Sequence, residues 1–151
     1  MRELRVQPIK NGTVIDHIPA GLALKVLKIM GVTEDVSSTV TVAIHVPSKK
    51  MKWKDILKVE DRELNPREVD KISLIAPTAT VNVIRNYNVA EKRRVVLPEK
   101  AVGILKCGNP NCITNQREPV ETVFLVSSKV PLTLKCRYCD RTLDNIAAAI
   151  V

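Results

Sequence analysis

The chain has 151 residues, with 24 Lys and Arg against 16 Asp and Glu, and a formal charge of +8. That length allows one ordinary domain or two small ones, and a composition of 45% hydrophobic and 26% charged residues excludes a disordered chain. No apolar run reaches 18 residues and MRELRVQPIK lacks the apolar core of a secretory signal, so the expected location is the cytoplasm, with no membrane partner.

Residues 2–9 (RELRVQPI) alternate as a strand should, with Pro8 suited to an edge or a strand end, and Asn11-Gly12 marks a turn. Residues 20–30 (AGLALKVLKIM) place Leu22, Val26, Ile29 and Met30 at helical spacing, with Leu24 and Leu27 widening the apolar face. Pro19 at the start and Gly31 just past the end are the residues expected at helix termini. Residues 38–46 (STVTVAIHV) predict a β-branched strand, and residues 51–60 a second one after the Pro47-Ser48 turn.

Asn65, Pro66 and Glu68 then form an N-cap, a first-turn proline and a capping-box glutamate, followed by the apolar positions Val69, Ile72, Leu74 and Ile75. Residues 79–87 (ATVNVIRNY) alternate as a further strand. The order strand, helix, strand, strand, helix, strand is the split βαβ, ferredoxin-like pattern of an α+β domain, a four-stranded antiparallel sheet with two helices. Residues 90–100 (AEKRRVVLPEK), charged and broken by Pro98, predict a linker to a second, β-rich domain. Short β segments are expected there at 102–106, 121–126, 132–135 and 141–146.

All four cysteines fall in that second domain. Four residues separate Cys107 from Cys112, two separate Cys136 from Cys139, and 23 lie between the pairs. Two such knuckles suit one tetrahedral Zn2+, and Gly108, Asn109, Pro110 and Asn111 supply the tight curl of the first. Two disulfides, or reduced cysteines of the core, are the competing readings. Four thiolates leave no open coordination position, so the metal reads as structural, in a zinc-ribbon-like domain too small to be stable without help.

The charge is divided, +5 over residues 1–99 and +3 over 100–151. Its densest runs are Lys49, Lys50, Lys52 and Lys54, then Lys92, Arg93 and Arg94. Four aromatics make a poor base-stacking platform, so a phosphate-bearing small molecule or an acidic protein fits at least as well as nucleic acid. Asp16-His17, just before the first predicted helix, reads either as a ligand contact or as that helix's cap. No Gly-rich phosphate loop and no nucleophile signature supports catalysis. A zinc-ribbon nucleic-acid-binding protein and a small enzyme using Asp16-His17 are the rival readings.

The segment from Gly12 through Asp16-His17 to Ala20, the motif Ala76-Pro77-x-Ala79-Thr80-Val81-Asn82 with Asn86-Tyr87, and the cysteine pairs with Tyr138 occur in an order and spacing that resembles the regulatory chain of aspartate carbamoyltransferase. The resemblance runs over essentially the whole chain. It implies a non-catalytic subunit in which residues 1–98 form a nucleotide-binding allosteric domain and residues 99–151 a zinc domain that docks on the catalytic chains. It further implies a regulatory-chain homodimer, effectors of the CTP, ATP and UTP type, control of pyrimidine biosynthesis, and no nucleic-acid partner. Carried over by position, Asp16 and Lys58 meet the ribose, and Lys92 and His17 the triphosphate. The chain around Ile9, Tyr87 and Val89 meets the base edge, with Asn82 close to ribose or base.

Overall fold

The computed structural model describes residues 9–31, 37–118 and 120–151. It divides into two units, Met1–Val96 and Leu97–Val151.

In the first unit β1 (Gly12–Pro19), β2 (Val40–Ser48), β3 (Lys52–Glu60), β4 (Thr80–Arg85) and β5 (Asn88–Arg94) form one antiparallel sheet in the order β2-β3-β1-β4-β5. With α1 (Ala23–Ile29) and α2 (Pro66–Ile75), the first four strands have the ferredoxin-like order read from the sequence. Both helices cover one face. Val26, Met30 and Ile72 pack there on Ile15, Leu57, Val59 and Val81, and each fully buried side chain of this size contributes about 1.5–3 kcal/mol.

Three expectations change. The strand expected at residues 2–9 lies outside the described residues apart from Ile9, and the first strand described runs instead from Gly12 to Pro19. The turn expected at Asn11-Gly12 is a bend at Asn11, and Gly12 already opens β1. Gly12, at φ +143°, lies so close to β3 that a Cβ would stand 2.2 Å from the Val59 carbonyl oxygen, so glycine serves a close backbone approach. The alternation of β1 was hidden by a bulge. Ile15 pairs with Leu57 but Ile18 with Asp55, leaving Asp16 and His17 opposite a single step of β3.

The supposed linker is the second change, because its first half is β5, a fifth strand joined to β4 by the two-residue turn Asn86-Tyr87. All seven β5 residues are exposed, and a solvated edge strand carries charge because charge blocks further pairing. The third is Leu24, which is 62% exposed, since a seven-residue helix buries only the narrow face of Ala23 and Val26.

The second unit holds a three-stranded antiparallel sheet, β6 (Lys100–Val102), β7 (Val123–Lys129) and β8 (Leu132–Cys136), ordered β6-β7-β8. Phe124, Leu105 and Leu134 form its small interior. Residues 141–146 contribute one bridge, Thr142 to Lys135, rather than a strand. The Asn145 side chain then accepts the Ala148 N–H at 3.1 Å and starts α3 (Ile146–Ala149). Among the described residues no helix is long and apolar enough to cross a membrane.

Candidate functional site

Two centres emerge, one on the open face of the first sheet and one among the sulfurs.

Residues paired across neighbouring strands share a face. Lys58, Val14, Asn82 and Lys92 are paired in one row across β3, β1, β4 and β5, and Asp16, Thr80 and Arg94 form the next row. These positions alternate with the core residues, so they lie on the face that α1 and α2 leave uncovered. A bulge between β4 and β5 sets Val89 opposite Ile84 and keeps it on that face. The fold therefore brings Asp16, Lys58, Asn82, Val89 and Lys92 together. Glu91 falls on the other face, opposite Val83, and pairs with Arg93 at 3.7 Å.

Ile9 and Tyr87 stand at one end of this sheet. The Tyr87 N–H donates to the Lys10 carbonyl at 2.9 Å, the Tyr87 ring is exposed and Ile9 is buried. At the other end the bulge turns His17 to φ +58°. Its Nδ1 lies 3.0 Å from the Thr80 hydroxyl, and its backbone N–H donates to Asp16 Oδ1 at 2.6 Å. Lys54 closes on the same carboxylate at 2.9 Å. A cavity of about 270 Å³ opens here, lined by His17, Lys50, Met51, Thr78, Thr80 and Arg94. Of the sequence-chosen residues only His17 lines it.

The local field is positive. Burial lowers the His17 pKa below its usual 6.5; Asp16 opposes this, while Lys54, Lys50 and Lys92 reinforce it. Burial likewise lowers the Lys58 pKa, with Glu60 acting against it. A cation held in a desolvated place gains from an anionic ligand, and that is the chemistry this face can perform.

The helix-capping reading of Asp16-His17 is overturned. Asp55, fully buried, receives the Gly21 and Ala23 N–H groups on Oδ2 at 2.8 and 3.0 Å, and the His45 N–H on Oδ1 at 2.9 Å. It ties the start of α1 and the β2 bulge to β3. In sequence Asp55 looks like any polar residue of an alternating strand. Arg94 and Lys50 were visible only as members of basic runs; the register of β5 on β4 sets Arg94, and the β2–β3 turn sets Lys50, around the same cavity as His17.

In the second unit the cysteine sulfurs all lie within 4.8 Å of one another. Cys107 and Cys139 are 3.5 Å apart, and Cys112 and Cys136 3.8 Å. Zn–S bonds of about 2.3 Å give tetrahedral edges of about 3.8 Å, so the donor set fits one zinc ion. The cysteines are free rather than disulfide-bonded. The first knuckle rises from the loop after Leu105, and the second is the turn after β8. Burial pushes the Cys107 thiol up to about 12. Burial acts upward at Cys139 too, but the Arg141 amide, the Asn109 side chain and the neighbouring sulfurs bring it down to about 7. Sulfurs this close share protons, and a divalent cation displaces them. A larger hollow of about 680 Å³, lined by Lys106, Asn109, Arg141 and Asp144 among others, adjoins this cluster.

Residues 4–96 match the family model described as aspartate carbamoyltransferase regulatory chain, allosteric domain, and residues 99–148 the model for its metal binding domain. The chain is 58% identical over 146 residues to the aspartate carbamoyltransferase regulatory chain of Pyrococcus horikoshii, covering 96% of this chain and 95% of that one. It is 54% identical over 144 residues to that of Thermoplasma volcanium, covering 95% of each. With that of Korarchaeum cryptofilum it shares 58% over 142 residues, 93% of this chain and 90% of the other. The chain belongs to the family of aspartate carbamoyltransferase regulatory chains.

Proposed function

We propose that this chain is a non-catalytic subunit that binds a nucleoside triphosphate on the open sheet face of residues 1–98 and docks on the catalytic chains of aspartate carbamoyltransferase through residues 99–151. The observation that carries the nucleotide reading is the cross-strand row of Lys58, Asn82 and Lys92 beside that of Asp16, Thr80 and Arg94, a polar strip with three cations against one carboxylate on a face without helices. Asp16 and Lys58 take the ribose, and Lys92 and His17 the triphosphate. Backbone groups near Ile9, Tyr87 and Val89 take the base edge, with Asn82 beside it. Backbone and ammonium donors discriminate CTP, ATP and UTP only by shape and edge pattern, so all three are candidate effectors.

Cys107, Cys112, Cys136 and Cys139 hold one structural Zn2+, which supplies folding energy and no open coordination site. The subunit pairs with a second copy, works in the cytoplasm on the control of pyrimidine biosynthesis, and takes neither nucleic acid nor membrane as a partner. Effector and catalytic chain are then linked by a coupling free energy, typically about 1–3 kcal/mol and reciprocal at equilibrium.

Calorimetric titration of the full chain with CTP, ATP and UTP tests this. Lys92→Ala is expected to weaken triphosphate binding while leaving the zinc content unchanged. Equal affinity for the variant removes Lys92 from the site, and no binding of any triphosphate to the native chain overturns the nucleotide reading.

A further inference from the structure

The first knuckle, 107–112, is clasped by its own side chains. Asn115 Nδ2 donates to the Cys107 carbonyl at 2.9 Å and to the Asn109 carbonyl at 2.8 Å, and Asn109 Oδ1 accepts the Asn111 N–H at 3.0 Å. These bonds hold backbone.

Thr114 does something else. Its hydroxyl donates to the Cys112 sulfur at 3.3 Å. Thr114 is 7% exposed and Cys112 2%, so the bond is shielded from water. Both residues belong to one turn of chain, because the 3-10 turn Ile113–Asn115 begins directly after Cys112. The donor is therefore built in beside the sulfur and held there by backbone. Amides reach all four sulfurs: that of Asn109 at Cys107, that of Thr114 itself at Cys112, those of Tyr138 and Cys139 at Cys136, and that of Arg141, together with the Asn109 side chain, at Cys139. Among the described residues no other hydroxyl donates to a cysteine sulfur.

Four thiolates around one divalent cation leave two negative charges in a place with little water. A hydrogen bond to a thiolate is charge-assisted and stronger than one to a neutral sulfur. It draws electron density from the sulfur toward the donor, relieves the excess charge and fixes the direction of the remaining lone pairs.

We propose that Thr114 is a positioning residue for the metal, its buried hydroxyl orienting the Cys112 sulfur and lowering the charge that this sulfur gives to the ion. The inference rests on the reading that the four cysteines hold zinc. The ligand concerned is zinc itself or a tetrahedral substitute such as Co2+.

The test compares full-length native, Thr114→Val and Thr114→Ser chains. Zinc affinity is read by competition with a chromogenic chelator, and the thiolate-to-metal charge-transfer band is read after Co2+ replaces zinc. Thr114→Val keeps the shape but loses the hydroxyl, and it is expected to bind zinc about 10–100-fold more weakly. Its charge-transfer band should move to longer wavelength, because a thiolate without its donor gives up an electron more easily. Thr114→Ser should restore both. A band that does not move in Thr114→Val overturns the proposal, as does a Thr114→Ser chain as weak as Thr114→Val, which would make side-chain shape the cause. If Thr114→Val stays unfolded at saturating zinc by circular dichroism, Thr114→Ala takes its place under the same criteria. A native chain that takes up no metal overturns the zinc reading itself, and that result is distinct because it appears without any substitution.

Discussion

The two units of this chain reach stability by different routes. The first packs α1 and α2 against one face of a five-stranded sheet, with Ile15, Ile18, Val26, Leu57 and Ile72 essentially inaccessible to water. The second has about 55 residues, a three-stranded sheet and a small interior around Phe124, Leu105 and Leu134, and three of its four cysteines are as buried as those side chains. One unit is closed by apolar area and the other by sulfur. A region stabilised by burial tolerates loss of a ligand, and a region closed by a metal does not.

Metal removal separates them most sharply. A strong chelator should withdraw about 10–16 kcal/mol of binding energy from the second unit and unfold it, while the first unit melts as before. A chelated chain whose β6–β8 amides stay protected from exchange, or whose first unit melts with the second, breaks the comparison. In the opposite sense, Leu57→Ala opens a cavity under the helices. It is expected to destabilise the first unit by about 2–5 kcal/mol in urea without lowering zinc content by atomic absorption.

A smaller effect concerns the buried carboxylate. Asp55→Asn replaces one acceptor oxygen by a donor facing backbone N–H groups from Gly21, Ala23 or His45. The expected cost is about 1–3 kcal/mol, and faster amide exchange should be confined to the start of α1 and the His45 bulge. A uniform change across the sheet would show that Asp55 acts otherwise.

The smallest effect is one of pH. Burial gives His17 a lower pKa folded than unfolded, so the unfolded chain takes up the proton first. Stability from this group is complete above about pH 6.5 and declines as the pH falls through that value. His17→Asn, which tolerates the left-handed backbone, should flatten this acid slope in the first unit and leave the second unit unchanged. The same slope in both proteins would assign the acid sensitivity to another group.

Much of this is legible in the sequence alone. The capping box was readable because its partners are three residues apart, and the structure has Asn65 accepting the Glu68 N–H at 2.9 Å while Glu68 accepts the Asn65 N–H. The cysteine knuckles were readable for the same reason, since residues three and five positions apart can bind one ion with little help from the rest of the fold. Less legible were elements whose pattern depends on a neighbour. β1 was obscured because its bulge puts Asp16 and His17 where alternation calls for one residue. β5 looked like a linker because all its side chains are exposed, so its pattern carries no buried face. Asp55 looked ordinary because its partners, Gly21, Ala23 and His45, lie 10 to 34 residues away.

By itself, then, the amino-acid sequence determined the run α1, β2, β3, α2, β4 of the first unit in kind, the capping box of α2, the four-sulfur cluster and the family. These are carried by short-range spacing, where covalent geometry and a single turn decide which groups meet. Only the tertiary structure decided that Lys58, Asn82 and Lys92 stand in one row, that Arg94 and Lys50 join His17 around a cavity, and that Asp55 rather than Asp16 receives the amides of α1. Cross-strand register is set by the packing of Ile15, Leu57 and Val81 under the helices, and a slip of one residue would turn every one of these side chains to the opposite face.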